Sequence, residues 1–378
     1  MNHRERYLAA IQHNPVDKVP TDMWATIEVQ EKLCEYFGIR TGKGSGKMAG
    51  IEFNGGGLSR DVDGIIELFD KLDIDGCFNL MPPYLGKIPE PPSGFKYADE
   101  WGLLYKPTGH GTGSYDEIFP PPALAAAQTI DDLDAYNWPD PDLYDYDILP
   151  GLADRCGDRA IGIGYTAPFF YYNILRGYQR SLEDLLLAPE FAHHFIEKIS
   201  DVFIKKHRHA YQAMNGKAHL SQVTDDYGDQ NGLLISPKTF SIFFEQPQRR
   251  SMELAREHGL YVFHHDDGDV RLLIPKLIDM GINILNPVQW RCGNWDLADL
   301  KQKYGDKICF HSAVDNQHTL PFGTPDDVRD EVKWLIETLA SDQTGFIIGP
   351  CHNLQSNTPV ENIIALYEAA REFGTFST

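Results

Sequence analysis

Two histidines followed by two aspartates, in HHDDGDV at residues 264–270, are the strongest chemical signal in the sequence. In a β-strand, side chains two positions apart point to the same face, so His265 and Asp267 should converge on one centre. His264 and Asp266 should point elsewhere. An imidazole and a carboxylate on one face can hold a metal ion when another strand supplies a third ligand. Without a metal, the same spacing indicates a histidine held by a carboxylate, or an acid–base pair.

A second source of ligands is the segment GPCHN at residues 349–353. Cys351 would supply a soft sulfur ligand, and His352 a borderline imidazole nitrogen. Because the two residues are adjacent, they face opposite ways in an extended segment, and only one of them should complete a metal site. A buried cysteine without any ligand role is the alternative for Cys351.

Two adjacent carboxylates occur in TDDYGDQ at residues 224–230. In a pocket, Asp225 and Asp226 would raise each other's pKa and could act as acid, base or binder of a cation. Capping of the following helix is the alternative. Four other residues at the ends of apolar runs could contact a substrate: Trp24, Tyr165, Gln289 and His311. For the aromatic residues Trp24 and Tyr165, simple packing is the alternative.

These candidates stand at the ends of eight short apolar runs that recur through the 378 residues. Segments with helical periodicity, such as 189–214 and 325–340, separate most of them. Strands that alternate with helices predict an α/β fold with a parallel sheet, and eight such units predict a TIM (β/α)8 barrel, whose carboxyl strand ends carry the active site. The predicted strands are 19–25, 72–80, 160–167, 219–226, 261–267, 282–289, 307–314 and 345–352.

The predicted barrel is a single domain over residues 1–378, since α/β barrels often reach this length. Residues 81–157 are predicted to be an insertion between strands 2 and 3 with antiparallel hairpin structure, and an insertion at that point lies on the catalytic face. The glycine-rich stretch 43–64 does not match a phosphate-binding loop. It is predicted to be a structural or substrate-covering loop.

Composition excludes several classes of partner. The 34 lysines and arginines against 55 aspartates and glutamates leave a net charge of −21, which disfavours nucleic acids and anionic membranes. The N-terminal residues lack the apolar region of a signal peptide, and six cysteines without CxxC spacing indicate buried free thiols. We therefore expect a cytoplasmic protein. The chain has no GxSxG, no GxGxxG after a strand, no HExxH and no kinase or Walker motif, which argues against serine hydrolase, nicotinamide dehydrogenase and nucleotidase functions.

Collinear segments along nearly the whole chain resemble the uroporphyrinogen decarboxylase superfamily. They are NPVDKVPTDMW (14–24), DEWGLLYK (99–106), LDAYNWPDPD (133–142), LRGYQRSLEDLL (175–186), TDDYGDQNGLLISPKTF (224–240), HDDGDVRLLIPKLIDMGINILNPVQ (265–289) and NTPVENIIALYEAARE (357–372). The resemblance implies a TIM barrel and one of two chemistries. One is decarboxylation of a tetrapyrrole without a cofactor, and the other is methyl transfer that depends on a corrinoid.

Decarboxylases of this superfamily have an arginine-rich segment near the N-terminus, since a substrate with many carboxylates needs cationic partners. The corresponding stretch here, DMWATIEVQEKL at 22–33, contains no arginine. The resemblance is therefore to the corrinoid-dependent methyltransferases. Members that act on coenzyme M hold zinc with a His-x-Cys pair and a distant cysteine. Their positions correspond to His265, Asp267 and His352 here, or to Cys351 if one residue of gap is allowed.

A His/Asp/His set would make zinc a harder Lewis acid, which polarises a substrate oxygen better than it activates a thiol. The resemblance thus implies transfer of a methyl group from a small methoxylated or methylated donor to cobalamin on a separate corrinoid protein. That partner would dock over the mouth of the barrel, with residues 81–120 forming part of the rim. A homodimer is also compatible, as superfamily members are often dimers. In this function His265, Asp267 and Asp226 would be catalytic, and the donor-binding residues would be Trp24, Tyr165, Asp225, Gln289 and His311.

Three alternatives stay open. The first is the same site without a metal, with its residues doing acid–base work. The second is decarboxylation of a carboxylate smaller than a porphyrinogen, in which Asp225 and Asp226 would protonate the carbanion. The third is a non-catalytic protein that binds a corrinoid or tetrapyrrole.

Overall fold

The computed structural model describes residues 1–40, 51–52, 62–110 and 113–376. Most of the predicted covering loop at 43–64 therefore lies outside the described residues. All six cysteines are described, and each is buried and free, as the sequence predicts. None of the described helices combines the length and apolarity needed to span a lipid bilayer.

Seven parallel strands form a curled sheet in the order β2-β6-β7-β10-β11-β12-β13, and β1 pairs antiparallel with β2 at one edge. This arrangement confirms the predicted α/β fold with a TIM-like parallel sheet. The strands of the described residues are β1 (Ile51–Glu52), β2 (Cys77–Leu80), β3 (Tyr97–Ala98), β4 (Leu104–His110), β5 (Gly113–Phe119), β6 (Ala160–Thr166), β7 (Leu220–Val223), β8 (Gly228–Asp229), β9 (Gly232–Leu233), β10 (Tyr261–His265), β11 (Ile284–Asn286), β12 (Cys309–His311) and β13 (Phe346–Ile347).

Helices follow most of the parallel strands. The helices are α1 (His3–Ile11), α2 (Ile27–Tyr36), α3 (Val62–Leu72), α4 (Ile130–Asp134), α5 (Leu149–Arg155), α6 (Pro168–Arg176), α7 (Tyr178–Leu187), α8 (Pro189–Met214), α9 (Pro237–Phe243), α10 (Glu245–Glu257), α11 (Ile274–Met280), α12 (Leu297–Tyr304), α13 (Thr319–Phe322), α14 (Pro325–Leu339) and α15 (Val360–Gly374), with a 3-10 turn at Pro141–Leu143. The apolar periodicity at 189–214 predicts α8 with its observed bounds. A capping box between Thr324 and Asp327 starts α14.

The first predicted strand, 19–25, is not a regular strand in the structure. It makes isolated parallel bridges to the last part of the sheet, Thr21 with Ile348 and Ala25 with Leu354. Pro20 has no N–H to donate to a ladder, which limits regular pairing here. On its other side the segment accepts a hydrogen bond from the Gly76 N–H at the Thr21 carbonyl, 2.9 Å away.

The chain between β2 and β6 contains a separate antiparallel sheet of β3, β4 and β5. The antiparallel hairpin structure predicted within residues 81–157 is therefore present in the described residues. Trp101, just before β4, packs its ring 4.6 Å from that of Tyr171 on α6 and 5.1 Å from that of Phe203 on α8. These contacts attach the small sheet to helices of the main fold.

Buried His207 predicts that acid destabilises the protein. Its Nε2 accepts the Tyr165 N–H at 3.0 Å, and burial, assisted by Lys206, lowers its pKa to about 3. In the unfolded chain an imidazole titrates near ~6.5. Since the folded pKa is the lower one, stability is lost as the pH falls below the unfolded value. Between pH 7 and pH 5 we expect His207 alone to cost about 2 kcal/mol of unfolding free energy.

The measurement is urea unfolding of the wild type and of His207→Gln at both pH values, because the glutamine keeps an acceptor for the Tyr165 amide. The wild type should show the steeper dependence on pH. Equal slopes for the two proteins would contradict a neutral buried His207.

Candidate metal and substrate site

Every second side chain of a strand points inward, so the parallel strands form two layers inside the curled sheet. The layer nearer the amino ends of the strands is apolar, and Tyr7 of α1 packs against it. It consists of one buried side chain from each strand: Cys77, Ala160, Leu220, Phe263, Ile284, Cys309 and Ile347. Two residues further along, the side chains point the same way. Several of these are polar: Asn79, Gln222, His265, Asn286 and His311. The polar layer therefore sits at the carboxyl ends of the strands.

His265 is the last residue of β10 and marks the centre of the site. Its Nδ1 lies 2.6 Å from Asn286 Oδ1, and its ring packs 5.3 Å from the ring of Trp24. Its Nε2 faces Asp267 Oδ1 at 3.8 Å and Asp226 Oδ1 at 4.0 Å. Burial lowers the pKa of His265, but the two carboxylates outweigh it and the net shift is upward. His265 therefore sits in a negative electrostatic environment.

His352 completes a cluster with His265 and Asp267. Its Nε2 lies 3.6 Å from Asp267 Oδ2, and one ligand atom from each of the three residues lies within 4.8 Å of the others. Burial lowers the pKa of His352, which favours the neutral ring that a metal ion requires. The structure thus brings together the three residues that the sequence named as a His/Asp/His set.

Cys351 does not join this cluster. Its thiol lies 3.6 Å from the Val288 carbonyl, and burial raises its pKa well above the ordinary value. The thiolate is the form that binds metals, so this burial disfavours Cys351 as a ligand. Because the two neighbours face opposite ways, the group of side chains within metal-binding distance of one another contains His352 and not Cys351.

Asp226 and Asp225 have different surroundings. Asp226 faces the cluster, its Oδ1 has no hydrogen-bond partner among the described residues, and burial, reinforced by Asp267, raises its pKa. Asp225 is buried and accepts the N–H groups of Phe169 and Phe170 at 2.9 and 2.8 Å. Those amides begin α6, which precedes Asp225 in the chain, so Asp225 caps a helix other than the following one named in the alternative. Its assignment to substrate binding is not supported by these contacts.

The other predicted substrate residues lie at different positions relative to the cavity. Gln289 lines the cavity described below and accepts the Gly268 N–H at 2.8 Å through Oε1. Trp24 is buried, with its ring 6.1 Å from that of His352. His311 is fully buried in the polar layer and bonded within it, so it lies beneath the cavity. Tyr165 lies half-buried near the end of β6, with its ring 6.5 Å from that of Tyr171.

A cavity of about 470 Å³ opens beside the cluster. Its lining includes residues that the sequence analysis did not single out: Tyr178, Asp229, Gln230, Leu234, Asn316 and Gln317. Two of them, Asp229 and Gln230, belong to the TDDYGDQ run, and Asn316 and Gln317 follow the predicted strand 307–314 by two and three residues. A polar residue shortly after a predicted strand is therefore the sequence pattern that could have identified these lining residues. Within the described part of the chain, no lysine or arginine lines this cavity.

Gly268 shapes the turn that presents Asp267. Its φ is +84°, and a Cβ at this position would overlap the backbone of Gly228 and Asp229. We expect Gly268→Ala to cost more than ~3 kcal/mol of unfolding free energy, since it combines left-handed strain with a backbone clash. The matched control is Gly259→Ala, where φ is +74° and no atom lies within 4 Å of the added Cβ. Equal unfolding free energies for the two variants would show that the turn is not tightly packed.

Together the fold and the site define an α/β protein with a titratable cluster where parallel strands end. The model of the family described as uroporphyrinogen decarboxylase (URO-D) matches residues 114–373. The chain belongs to the uroporphyrinogen decarboxylase family. A uroporphyrinogen decarboxylase from Vibrio campbellii is 21% identical over 190 residues, which is 49% of either chain. One from Nostoc punctiforme is 23% identical over 245 residues, which is 60% of this chain and 62% of the relative.

The chain thus spans about half to three fifths of the length of these curated relatives. A solved structure of a methyltransferase from Methanosarcina mazei has the same fold. It matches with a TM-score of 0.66 at 17% sequence identity, and the match covers 99% of both chains.

Proposed function

We propose that this protein is a corrinoid-dependent methyltransferase that demethylates a small methoxylated or methylated donor. The methyl group would go to the cobalt of a corrinoid carried by a second protein. The observation that carries the proposal is the cluster of His265, Asp267 and His352 at the carboxyl ends of the strands, beside a cavity sized for a small molecule. The fold likeness to a protein named as a methyltransferase agrees with it.

The cluster fits zinc in its donor set and its spacing. Two imidazoles and a carboxylate are ordinary zinc ligands. The nitrogen–oxygen separations, 3.8 Å to Oδ1 and 3.6 Å to Oδ2 of Asp267, are too long for hydrogen bonds and lie a few tenths of an ångström above the ~3.3 Å expected between two tetrahedral ligands of one zinc ion. Asp267 Oδ1 is buried without a hydrogen-bond partner among the described residues. When bound, zinc would supply a Lewis acid that polarises an oxygen of the donor.

The protein's own residues would position the donor and supply a proton. The corrinoid partner would supply a cob(I) nucleophile whose electron pair takes the methyl carbon, and the donor oxygen, left with the electron pair of the broken bond, would take a proton. Asp226 would hold that proton, because its Oδ1 faces the cluster and the net shift of its pKa is upward. The amide of Gln289 would hydrogen-bond the donor, and the buried ring of Trp24 would form a wall beside the two histidines.

Cavity charge supports a donor without several carboxylates. The acidic side chains of the lining are Asp229 and Asp267, and the described lining has no basic residue apart from His352. A porphyrinogen carries many carboxylates and would need cationic partners. Decarboxylation of a smaller carboxylate is the second candidate function, favoured by the family and by the decarboxylases among the relatives.

The proposal extends to the architecture and the partner. The sheet would close as a TIM barrel in one domain over 1–378, with residues 20–25 in place of an eighth strand. Support comes from hydrogen bonds on both sides of that segment, from Gly76 N–H to Thr21 O and from Ile348 N–H to Pro20 O. The insertion at 81–157 would lie on the catalytic face of a cytoplasmic enzyme, and the corrinoid protein would dock at its rim.

A screen of methoxylated and methylated donors with cob(I)alamin tests the function. We expect formation of methylcobalamin, seen as a colour change, with at least one small neutral donor, and faster transfer to a corrinoid protein. Carbon dioxide release from a small carboxylate, without any corrinoid and without methyl transfer, would instead establish the decarboxylase. A tightly bound coloured ligand and no turnover would indicate a binding protein.

A further inference from the structure

A chain of buried hydrogen bonds crosses the inside of the sheet from the N-terminal segment to His265. Asp22 Oδ2 lies 3.0 Å from His311 Nε2, His311 Nδ1 lies 2.7 Å from Asn286 Nδ2, and Asn286 Oδ1 lies 2.6 Å from His265 Nδ1. Asp22 is 1% exposed, and both His311 and Asn286 are fully buried. Solvent therefore does not compete for these bonds, and each one constrains the next.

Asp22 determines which atom donates the hydrogen in its bond with His311. Its carboxylate also receives the Tyr7 hydroxyl at 3.1 Å on Oδ2, and the N–H groups of Met23 at 2.8 Å and Cys77 at 3.4 Å on Oδ1. An ionised carboxylate can only accept hydrogen bonds. His311 must therefore donate from Nε2 to Asp22, and in the tautomer whose single hydrogen is on Nε2 the Nδ1 atom is an acceptor.

Asn286 links the donor and acceptor roles at His311 to those at His265. Its Nδ2 faces His311 Nδ1 and also lies 3.4 Å from the His311 carbonyl, which can only accept. That atom is therefore the amide nitrogen, and the amide oxygen faces His265. Because the oxygen accepts, His265 carries its hydrogen on Nδ1. The lone pair of Nε2 is left facing Asp267 and Asp226.

We propose that Asp22, His311 and Asn286 are positioning residues that hold His265 in the tautomer whose Nε2 can bind a metal ion. The inference rests on the metal-assisted function proposed above. It adds that His265, as a metal ligand, is oriented by this chain of hydrogen bonds, called the relay below. The relay joins three strands to the N-terminal segment. In metal sites, such outer partners fix the tautomer and orientation of the ligating histidine, and their loss weakens metal affinity.

Asp22→Asn should reverse the relay with almost no change in shape. The Met23 and Cys77 N–H groups both point at the Oδ1 position, so the amide oxygen should stay there. The amide nitrogen would then take the Oδ2 position and donate to His311 Nε2. Each following bond would turn round, Asn286 would donate to His265 Nδ1, and the His265 hydrogen would move to Nε2.

Nitrogen-15 NMR of histidine-labelled, metal-free protein reads the tautomer directly, with the His265 signals identified by their loss in His265→Ala. At about pH 9, where an imidazole is neutral, wild-type His265 should carry its hydrogen on Nδ1, and the Asp22→Asn variant should carry it on Nε2. A wild-type His265 with the hydrogen on Nε2 would overturn the inference, even if the variant failed to fold.

Zinc affinity, measured against a chelator without donor or corrinoid, is the second readout. We expect Asp22→Asn to bind zinc 10- to 100-fold more weakly than the wild type. Tyr7→Phe is the matched control, because it removes a hydrogen bond to the same Asp22 oxygen without reversing the relay. Its zinc affinity should match the wild type. Equal affinities for a folded Asp22→Asn would contradict the inference. A wild type with the expected tautomer but no zinc binding would instead contradict only the metal in the proposed function.

Discussion

His265→Ala is expected to abolish stoichiometric zinc binding and to lower the rate of methyl transfer by at least ~100-fold. The imidazole is one of three groups whose ligand atoms lie within 4.8 Å, so its loss leaves only Asp267 and His352. Two protein ligands rarely retain zinc against competition from water. The measurements are metal analysis of the purified protein and initial rates of methylcobalamin formation.

His209→Ala is the control for this variant, since His209 is a partly exposed histidine of α8 that pairs with Asp142, away from the cluster. It should keep both zinc and activity. If the wild type contains no metal after zinc is supplied, and His265→Ala demethylates the donor at the normal rate, the ligand assignment is wrong.

Asp226→Asn is expected to lower kcat by ~10²–10⁴-fold while zinc stays bound. The physical reason is that an amide has nearly the shape of a protonated carboxyl but cannot transfer its proton. Asp226 faces the cluster, lies 4.0 Å from His265 Nε2, and is not one of the three clustered ligands. Initial rates at saturating donor, together with the zinc content, separate proton transfer from metal binding.

The same substitution at the surface, Asp279→Asn, breaks only an ion pair with Arg249 and should leave kcat unchanged. A donor whose leaving group needs no proton should be demethylated almost normally by Asp226→Asn. If instead the variant loses its zinc, Asp226 is a metal ligand and not the proton donor.

Local patterns in the sequence were enough to predict much of the fold. The apolar periodicity of 189–214 predicts α8 with its bounds, because a helix's buried face repeats along the chain without reference to the rest of the molecule. Likewise, alternation in a strand puts His265 and Asp267 on one face, since that depends only on the twofold period of extended backbone. The seven parallel strands of the sheet each correspond to a predicted apolar run.

Tertiary structure decided what lies next to what. Cys351 and His352 are neighbours, and only the path of the chain after β13 turns the histidine toward Asp267 and the thiol toward Val288. Asp225 and Asp226 are also neighbours, yet one caps α6 and the other faces the cluster. A one-residue step reverses a side chain's direction, so small changes in backbone path, set by distant packing, decide which neighbour reaches the site.

Distance along the chain explains the remainder. Asp22 and His311 are 289 positions apart, and their bond exists because the N-terminal segment lies against the curled sheet. The cavity lining likewise comes from separate loops, which contribute Tyr178, Gln230 and Asn316. Loop conformation depends on long-range contacts more than on local propensity, and a hydrogen bond between remote residues leaves no periodic trace in a single sequence. The sequence alone therefore determined which residue types could carry the chemistry of the site. Only the tertiary structure decided which of those side chains contact one another.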